Sequence, residues 1–441
     1  MKTILVALLL GSIGAIAQTN DGSPGLPPVP ITSGYLSQLA EELRTNSPAL
    51  AAARARTNAA ARAAASVRTW DDPVAKAGYM FSDDPRMMRA DDGDVLYGVE
   101  QKLPLWGKPQ AMRRVAEAEL GVATADGDLR FETQRSELAK ALFRAALANE
   151  TVTIGELDLA WTEKMQEAAG ARYRSGGSLA DVLRLQNERA RRADQLLTAR
   201  AQLRHDEFTL NRMLNRAPDS AWPKLTLPAV AAPVVYSDKL VRLARDYEPR
   251  LRKMRGEVQL AEAAVDKARR ERHPEVSVGV DTRNDSSTGG WRQTELMVSF
   301  SLPWLNGKRY RSDVAREDAR RQAAEFDVAD LELSVRDEVH GLTVKIDAAR
   351  REALLYRDEI LPRSEQALTV AQSAWQNGSG MFLDMLEARR MLLEARLMSA
   401  RAVAGQWQML SELVLCCGLA DFDALEMIGV QTESQKGGNK L

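Results

Sequence analysis

Asp384 and Glu387 stand three residues apart just inside a helix-like stretch, a spacing that lets two carboxylates project from one face. Asp181 holds the corresponding place in the first half of the chain, but Arg184 stands where a second acid would complete that pair. Converging carboxylates attract cations, whereas acids at a helix start can simply complement its positive end, so spacing alone leaves both readings open. Other reactive residue types offer less. His205, His273 and His340 are scattered, without metal-ligand spacing. Cys416 and Cys417 are adjacent and supply no disulfide framework; the pair could hold a soft ion or act as two small apolar side chains at a helix end. Met80, Met87 and Met88 could likewise suit a soft ion or fill a loop. No nucleophile–base constellation, cofactor loop or metal cluster is recognisable, so neither an enzyme nor a resident cofactor or metal is expected.

The 441 residues are 45% hydrophobic and 27% charged, enough apolar material for a sizeable core. A net charge of −1, with arginines interleaved among acids, offers no positive field for nucleic acid. Residues 1–17, MKTILVALLLGSIGAIA, have one Lys, a short apolar run and a small-residue Ala15-Ile16-Ala17 site, and read as an export signal peptide rather than a membrane anchor. No later stretch approaches the roughly eighteen uncharged apolar residues of a spanning helix. Any later membrane crossing must therefore use strands that close into a barrel, since unpaired backbone groups cannot face lipid.

Two halves follow one plan. VEQKLPLWGKPQ at 99–110 and VSFSLPWLNGKR at 298–309 are the same strand-to-helix corner written twice, with Pro104, Trp106 and Gly107 answered by Pro303, Trp304 and Gly307. Asn46-Ser47-Pro48 marks a helix start with Ser47 as cap, and Tyr247-Glu248-Pro249 takes the equivalent place. Trp70-Asp71-Asp72-Pro73 and His273-Pro274 stop these helices. Each is followed by a strand-like run, a polar loop (SDDPRMMRADDG or NDSSTGG), a second strand-like run and the corner. Val276, Val278 and Val280 alternate with Ser277, Gly279 and Asp281; Leu296, Val298, Phe300 and Leu302 alternate with Glu295, Met297, Ser299 and Ser301. Val95, Tyr97, Val99 and Leu103 oppose Gly98, Glu100 and Lys102. One face suits lipid and the other water, at the length of a tilted transmembrane strand, although any single run also fits a half-buried soluble sheet. Trp106 and Trp304 stand where an interfacial aromatic girdle would lie, or pack locally in their turns.

Beyond each corner a helical pattern continues, from Lys108 to about Arg174 and from Lys308 to about Gln376, broken by Ser175-Gly176-Gly177-Ser178 and Asn377-Gly378-Ser379-Gly380. Each rod would reach roughly 100 Å, too long for a globular core. Return helices are expected at about 178–215 and 381–415. Pro362 interrupts the second rod, favouring a kink, and has no counterpart in the first. Four strands cannot close a barrel, whereas three chains would supply about twelve. The expected organisation is a Pro-rich extended segment (18–32), a first repeat (33–230), a second repeat (231–420) and a flexible tail (421–441).

These corners, the Ser-Pro and Glu-Pro helix starts, and the tip motifs ARYRSGGSLADVLRLQNERA and SAWQNGSGMFLDMLEARRML resemble the TolC-like outer-membrane efflux proteins from about residue 33 to 420. The resemblance implies a mainly α homotrimer whose 12-stranded outer-membrane β-barrel opens into a periplasmic α-helical barrel. It also implies docking to a periplasmic adaptor and an inner-membrane pump of RND or related type, with Ser175, Gly176, Gly177, Gly378 and Ser379 as the adaptor-docking tips. Asp384, Glu387 and Asp181 would ring the periplasmic gate, and Pro362 would be a hinge in the moving hairpin. The corners look most like the heavy-metal or cation efflux branch. Alternatives are a type I secretion exit duct and a soluble periplasmic coiled-coil scaffold or adaptor; the alternating strands argue against the latter.

Overall fold

The structure is a computed structural model that describes residues 27–81, 93–286, 288–419 and 422–423. The signal peptide, most of the 18–32 segment, the loop carrying Met87 and Met88, and nearly all of the 421–441 tail lie outside them.

In the first half, β1 (Val29–Pro30) leads into α1 (Ser33–Asn46), α2 (Pro48–Ser66), β2 (Val74–Phe81), β3 (Gly93–Lys102), α3 (Lys108–Arg174), α4 (Leu179–Met213) and β4 (Leu225–Thr226). The second half contains α5 (Asp238–Tyr247), α6 (Pro249–Arg270), β5 (Val276–Asp285), β6 (Trp291–Phe300), a 3₁₀ turn (Pro303–Asn306) and α7 (Gly307–Leu355). A π-helical turn (Tyr356–Ile360), α8 (Leu361–Gln376) and α9 (Phe382–Cys416) complete it.

α3 runs 67 residues without interruption, about 100 Å. Its one proline, Pro109, sits in the first turn, where a missing N–H costs nothing. Small side chains on its buried face, Ala139, Ala141, Ala145 and Ala146, let neighbours approach closely around Leu142 and Phe143. A second core gathers Leu240, Leu251, Val339, Ile346 and Leu413. Both thiols lie within it: Cys416 donates to Glu338 Oε1 at 3.3 Å, and burial pushes both upward, Cys417 to about 12. That is the environment of inert apolar side chains.

Ser47 occupies the N-cap of α2, but its hydroxyl does not cap: it meets Gln134 Oε1 of α3 at 3.2 Å. In the second half Glu248 does cap, its carboxylate accepting from the Leu251 amide at 2.7 Å. The corners also differ in backbone. Trp106 and Gly107 both adopt positive φ, 62° and 70°, held by Arg270 Nη1 donating to the Trp106 carbonyl at 2.9 Å. Gly307 instead has ordinary helical φ, −56°, because the 3₁₀ turn before it has already redirected the chain.

β1 and β4 pair as a short parallel ribbon, and the other four strands form one antiparallel sheet in the order β2-β3-β5-β6, so the β3–β5 contact joins the two halves. Register places Val99 opposite Val280, and Val280 opposite Leu296. Tyr97, Val99, Val280, Leu296, Val298 and Phe300 therefore share one exposed face, while Glu100, Asp281, Glu295 and Ser299 share the other. Lys76 pairs with Glu100 on that polar side, and Ser277 bonds Ser299 at 2.7 Å. Among the described residues β2 and β6 are left as edges. Met80 lies exposed on β2 rather than in a loop. Phe422, assigned by sequence to the flexible tail, is anchored edge-on against Trp407 and Phe143, and the neighbouring Asp423 accepts from Ser33 Oγ at 2.7 Å.

Candidate functional site

The far end of the rods gathers four helix termini: the ends of α3 and α8 and the starts of α4 and α9. Gly176 at φ 96° turns the first hairpin and Gly378 at φ 80° the second, conformations that side chains with a Cβ rarely adopt. Gly177 is required for a different reason, since an added Cβ would meet the Arg172 carbonyl oxygen at 2.9 Å. Ser178 caps α4 by accepting from the Ala180 amide at 3.2 Å, and Ser379 closes the other turn, its amide bonding the Ala374 carbonyl at 3.0 Å. Beneath the turns lies a third apolar core, including Met165, Leu185, Leu368, Trp375 and Met385. Arg172 ties turn to turn: Nη1 donates to the Trp375 carbonyl, and its guanidinium lies 5.4 Å over the indole.

Asp384 and Glu387 are both exposed on α9, while Met385, Leu386 and Ala388 between and beside them are buried. The two carboxylates therefore share the face turned away from the core. Asp181 differs. It is partly buried, 4.0 Å from Arg184, so the first half supplies its own counter-charge.

A cluster that sequence reading did not single out lies one layer deeper. Asp158 of α3 (1% exposed) accepts from Arg389 Nε of α9 at 2.7 Å and lies 3.0 Å from Arg192 Nε of α4. Glu188 of α4 (7% exposed) receives Arg192 at 2.7 Å and Arg390 at 3.0 Å. The Arg389 guanidinium also covers the Trp161 ring at 4.7 Å. Burial pushes the Glu188 carboxyl upward, but Arg390 and Arg192 outweigh it and hold it below its ordinary value. Burial draws Arg389 downward against the pull of Asp158. The signal was present: Asp158 interrupts the apolar stripe Ile154, Trp161, Met165, and Arg389 falls between Met385 and Leu392 on the buried side of α9.

Pro362 is exposed, two residues beyond the π-helical turn. There the Leu361 amide reaches back to the Tyr356 carbonyl, the wider spacing that accommodates the donor proline lacks. The matching stretch of α3 has no such interruption. At the opposite end of the rods, the Trp106 ring stacks at 5.2 Å on His273, which follows α6 in the second half, whereas Trp304 is 61% exposed. His340 meets Tyr236 edge-on, and His205 lies on α4. Among the described residues no group of three or more His, Cys, Asp or Glu is placed to hold a metal ion, and no helix is long and apolar enough to cross a membrane.

Comparison with known proteins places this geometry. The family model described as outer membrane efflux protein matches residues 39–216 and 240–418. The cobalt-zinc-cadmium resistance protein CzcC of Cupriavidus metallidurans is 22% identical over 304 residues, covering 67% of this chain and 70% of its own. CusC, solved in a study of its folding and transmembrane channel formation, superposes with a TM-score of 0.77 at 14% identity over 88% of this chain and 93% of its own. The outer membrane protein VceC of Vibrio cholerae gives 0.73 at 20% identity, over 88% and 98%.

Proposed function

We propose, from the premise that this chain belongs to the outer membrane efflux protein family, that three copies form a passive exit duct for metal cations. Proteins of this family are outer-membrane channels with a large periplasmic helical portion and catalyse no reaction; they work as trimers with adaptor and inner-membrane pump partners. The observation that carries the reading is the sheet: four strands, apolar on one exposed face and polar on the other, end directly in two long helical hairpins. Three such sheets paired edge to edge would make a barrel of about twelve strands, removing the open edges of β2 and β6. Residues 33–230 and 231–420 are then two repeats, each crossing once from strand barrel to helix barrel. The glycine turns at Ser175–Gly177 and Gly378–Ser379 are the adaptor-docking surface, and an RND or related pump supplies the energy. The cation assignment leans on the name of CzcC and on the exposed acids of α9.

Outer-membrane fractionation with and without heating, followed by planar-bilayer recording, tests the duct: a detergent-stable trimer that conducts is expected, and a soluble monomer sinks it. In such a trimer Asp384 and Glu387 would repeat around the entrance, where confined carboxylates favour cations. Asp384→Ala/Glu387→Ala is expected to move the reversal potential in a salt gradient toward the non-selective value and to relieve block by multivalent cations, with the trimer intact. If the acids serve only the α9 terminus, selectivity stays put and stability falls by roughly 0.3–1 kcal/mol, through Asp384, the one acid in the first turn.

Pro362 and the π-helical turn are the hinge in this reading. Pro362→Ala restores one backbone donor and should reduce channel opening at normal trimer yield. Equal opening would make Pro362 a tolerated bend.

A further inference from the structure

The seam between the two repeats inside one protomer is a template for the seam between protomers. β3 of the first repeat pairs with β5 of the second, with Lys102 opposite Ser277, and the corner after β3 then lies against the segment before β5. There the Leu103 amide donates to the Val276 carbonyl at 2.8 Å, Trp106 stacks on His273, and Arg270 holds the Trp106 carbonyl. The two outer ends of the repeats, β6 with its corner and the segment leading into β2, have no such strand neighbour among the described residues. Both are bare: β2 is exposed from Val74 to Met80, and Trp70, Trp304 and Leu305 are exposed as well. Beside the start of β2 lies a hollow of about 410 Å³, lined in part by Trp70, Leu105, Trp106 and Met112.

We propose that the internal seam is repeated between copies: β6 of one protomer pairs antiparallel with β2 of the next, Ser301 opposite Lys76, and Trp304 seats against Trp70 in the hollow. This rests on the duct reading above. Aligning the repeats on Pro73 with Pro274, and on Leu103 with Leu302, carries Lys102 onto Ser301 and Ser277 onto Lys76, which sets the register. The strand faces agree with it. Leu302, Phe300 and Val298 fall opposite Ala75, Ala77 and Tyr79, the residues of β2 that register with Val99, Tyr97 and Val95 on the apolar side. Ser299 falls opposite Gly78 on the polar side, whereas a slip of one residue would set every apolar side chain of β6 against the wrong face. The corner contact differs from the internal one in chemistry. Where the second repeat has Arg270 and His273, the first has Thr69 and Asp72, so no guanidinium or imidazole awaits the incoming corner. Trp70 and the hollow take their place, and an indole that is exposed in one protomer gains its apolar contact from the next.

Cysteine trapping of the full-length protein in outer-membrane fractions, with copper phenanthroline as oxidant, reads the register. Directly opposite Cα atoms lie about 4.5–5.5 Å apart, within disulfide reach, whereas diagonal ones lie about 7–8 Å apart, outside it. Lys76→Cys with Ser301→Cys, and Gly78→Cys with Ser299→Cys, are expected to give covalent trimers. Position 78 has room, since an added Cβ meets nothing closer than 3.9 Å. The crossed pairs, Lys76→Cys with Ser299→Cys and Gly78→Cys with Ser301→Cys, should run as monomers on denaturing gels. Native Cys416 and Cys417 are buried, and the protein without added cysteines is the blank. Crossed pairs that trap as well as direct ones would overturn the register, as would direct pairs that stay monomeric in an assembled trimer. Should the direct variants not assemble, Ala77→Cys with Phe300→Cys must trap instead, and failure there counts equally against it. The corner is read without cysteines. Trp304→Ala and Trp70→Ala should each lower the temperature at which the trimer dissociates, and the double variant no further than either alone; additive losses would remove the contact. Conductance of the unmodified trimer judges the duct separately: a conducting trimer that traps in another register refutes only the seam, and a non-conducting one refutes the duct.

Discussion

Leu296→Arg is expected to abolish outer-membrane assembly, while Met297→Arg, one residue along, leaves it intact. Leu296 lies near the middle of β6 and is 73% exposed, on the face it shares with Val298 and Phe300. If that face meets lipid, an arginine at mid-depth costs about 2–4 kcal/mol in each chain, and a trimer would bear it three times. Met297 points to the side of Glu295 and Ser299, where a charged side chain meets water and other polar groups. Heat-modifiable mobility of the membrane fraction reads both variants. Equal assembly would mean that the apolar face does not touch lipid, and the soluble scaffold would regain ground.

Asn211→Leu should be strongly destabilising. Asn211 is fully buried; its Nδ2 donates to the carbonyls of Pro218 at 3.0 Å and Ser220 at 2.9 Å, and its Oδ1 accepts from Trp222 Nε1 at 2.7 Å. Leucine of similar volume would fill the space but leave the indole N–H and two carbonyls without partners. At about 1–3 kcal/mol for each unsatisfied buried group, the loss is on the order of 3 kcal/mol or more. The segment concerned leads from α4 toward the second half and is tied again by Arg216, which grips Glu42 with two bonds of 2.6 Å. Thermal unfolding followed by helical circular dichroism measures the effect. An unchanged midpoint would mean that ordered water replaces the asparagine.

Much of this architecture is legible from local pattern. The first rod follows from the lack of any proline beyond the first turn between Lys108 and Arg174 and from glycines that stand only singly there, and the tips from glycines at Gly176 and Gly378, because helix continuation and positive φ are decided within a few residues. The strand faces follow from period-two alternation for the same reason. Even so, local pattern misplaced the Ser47 hydroxyl, since whether a cap residue bonds its own helix or a neighbour depends on Gln134, 87 positions away.

By itself, then, the sequence determined what each segment is: strand, turn, corner, rod, and which side of each is apolar. Tertiary structure alone decided which segments meet. The pairing of β3 with β5, which fuses the two halves into one sheet, joins residues as remote as Asp94 and Asp285. The burial of Asp158 against Arg389 spans 231 positions and reverses the ordinary expectation that both charges face water. The twin corners take different backbones because Arg270 braces only the first. Backbone preference is a property of neighbouring residues, whereas the fate of a buried charge is set by the partner that packing delivers to it, and no spacing along the chain specifies that partner.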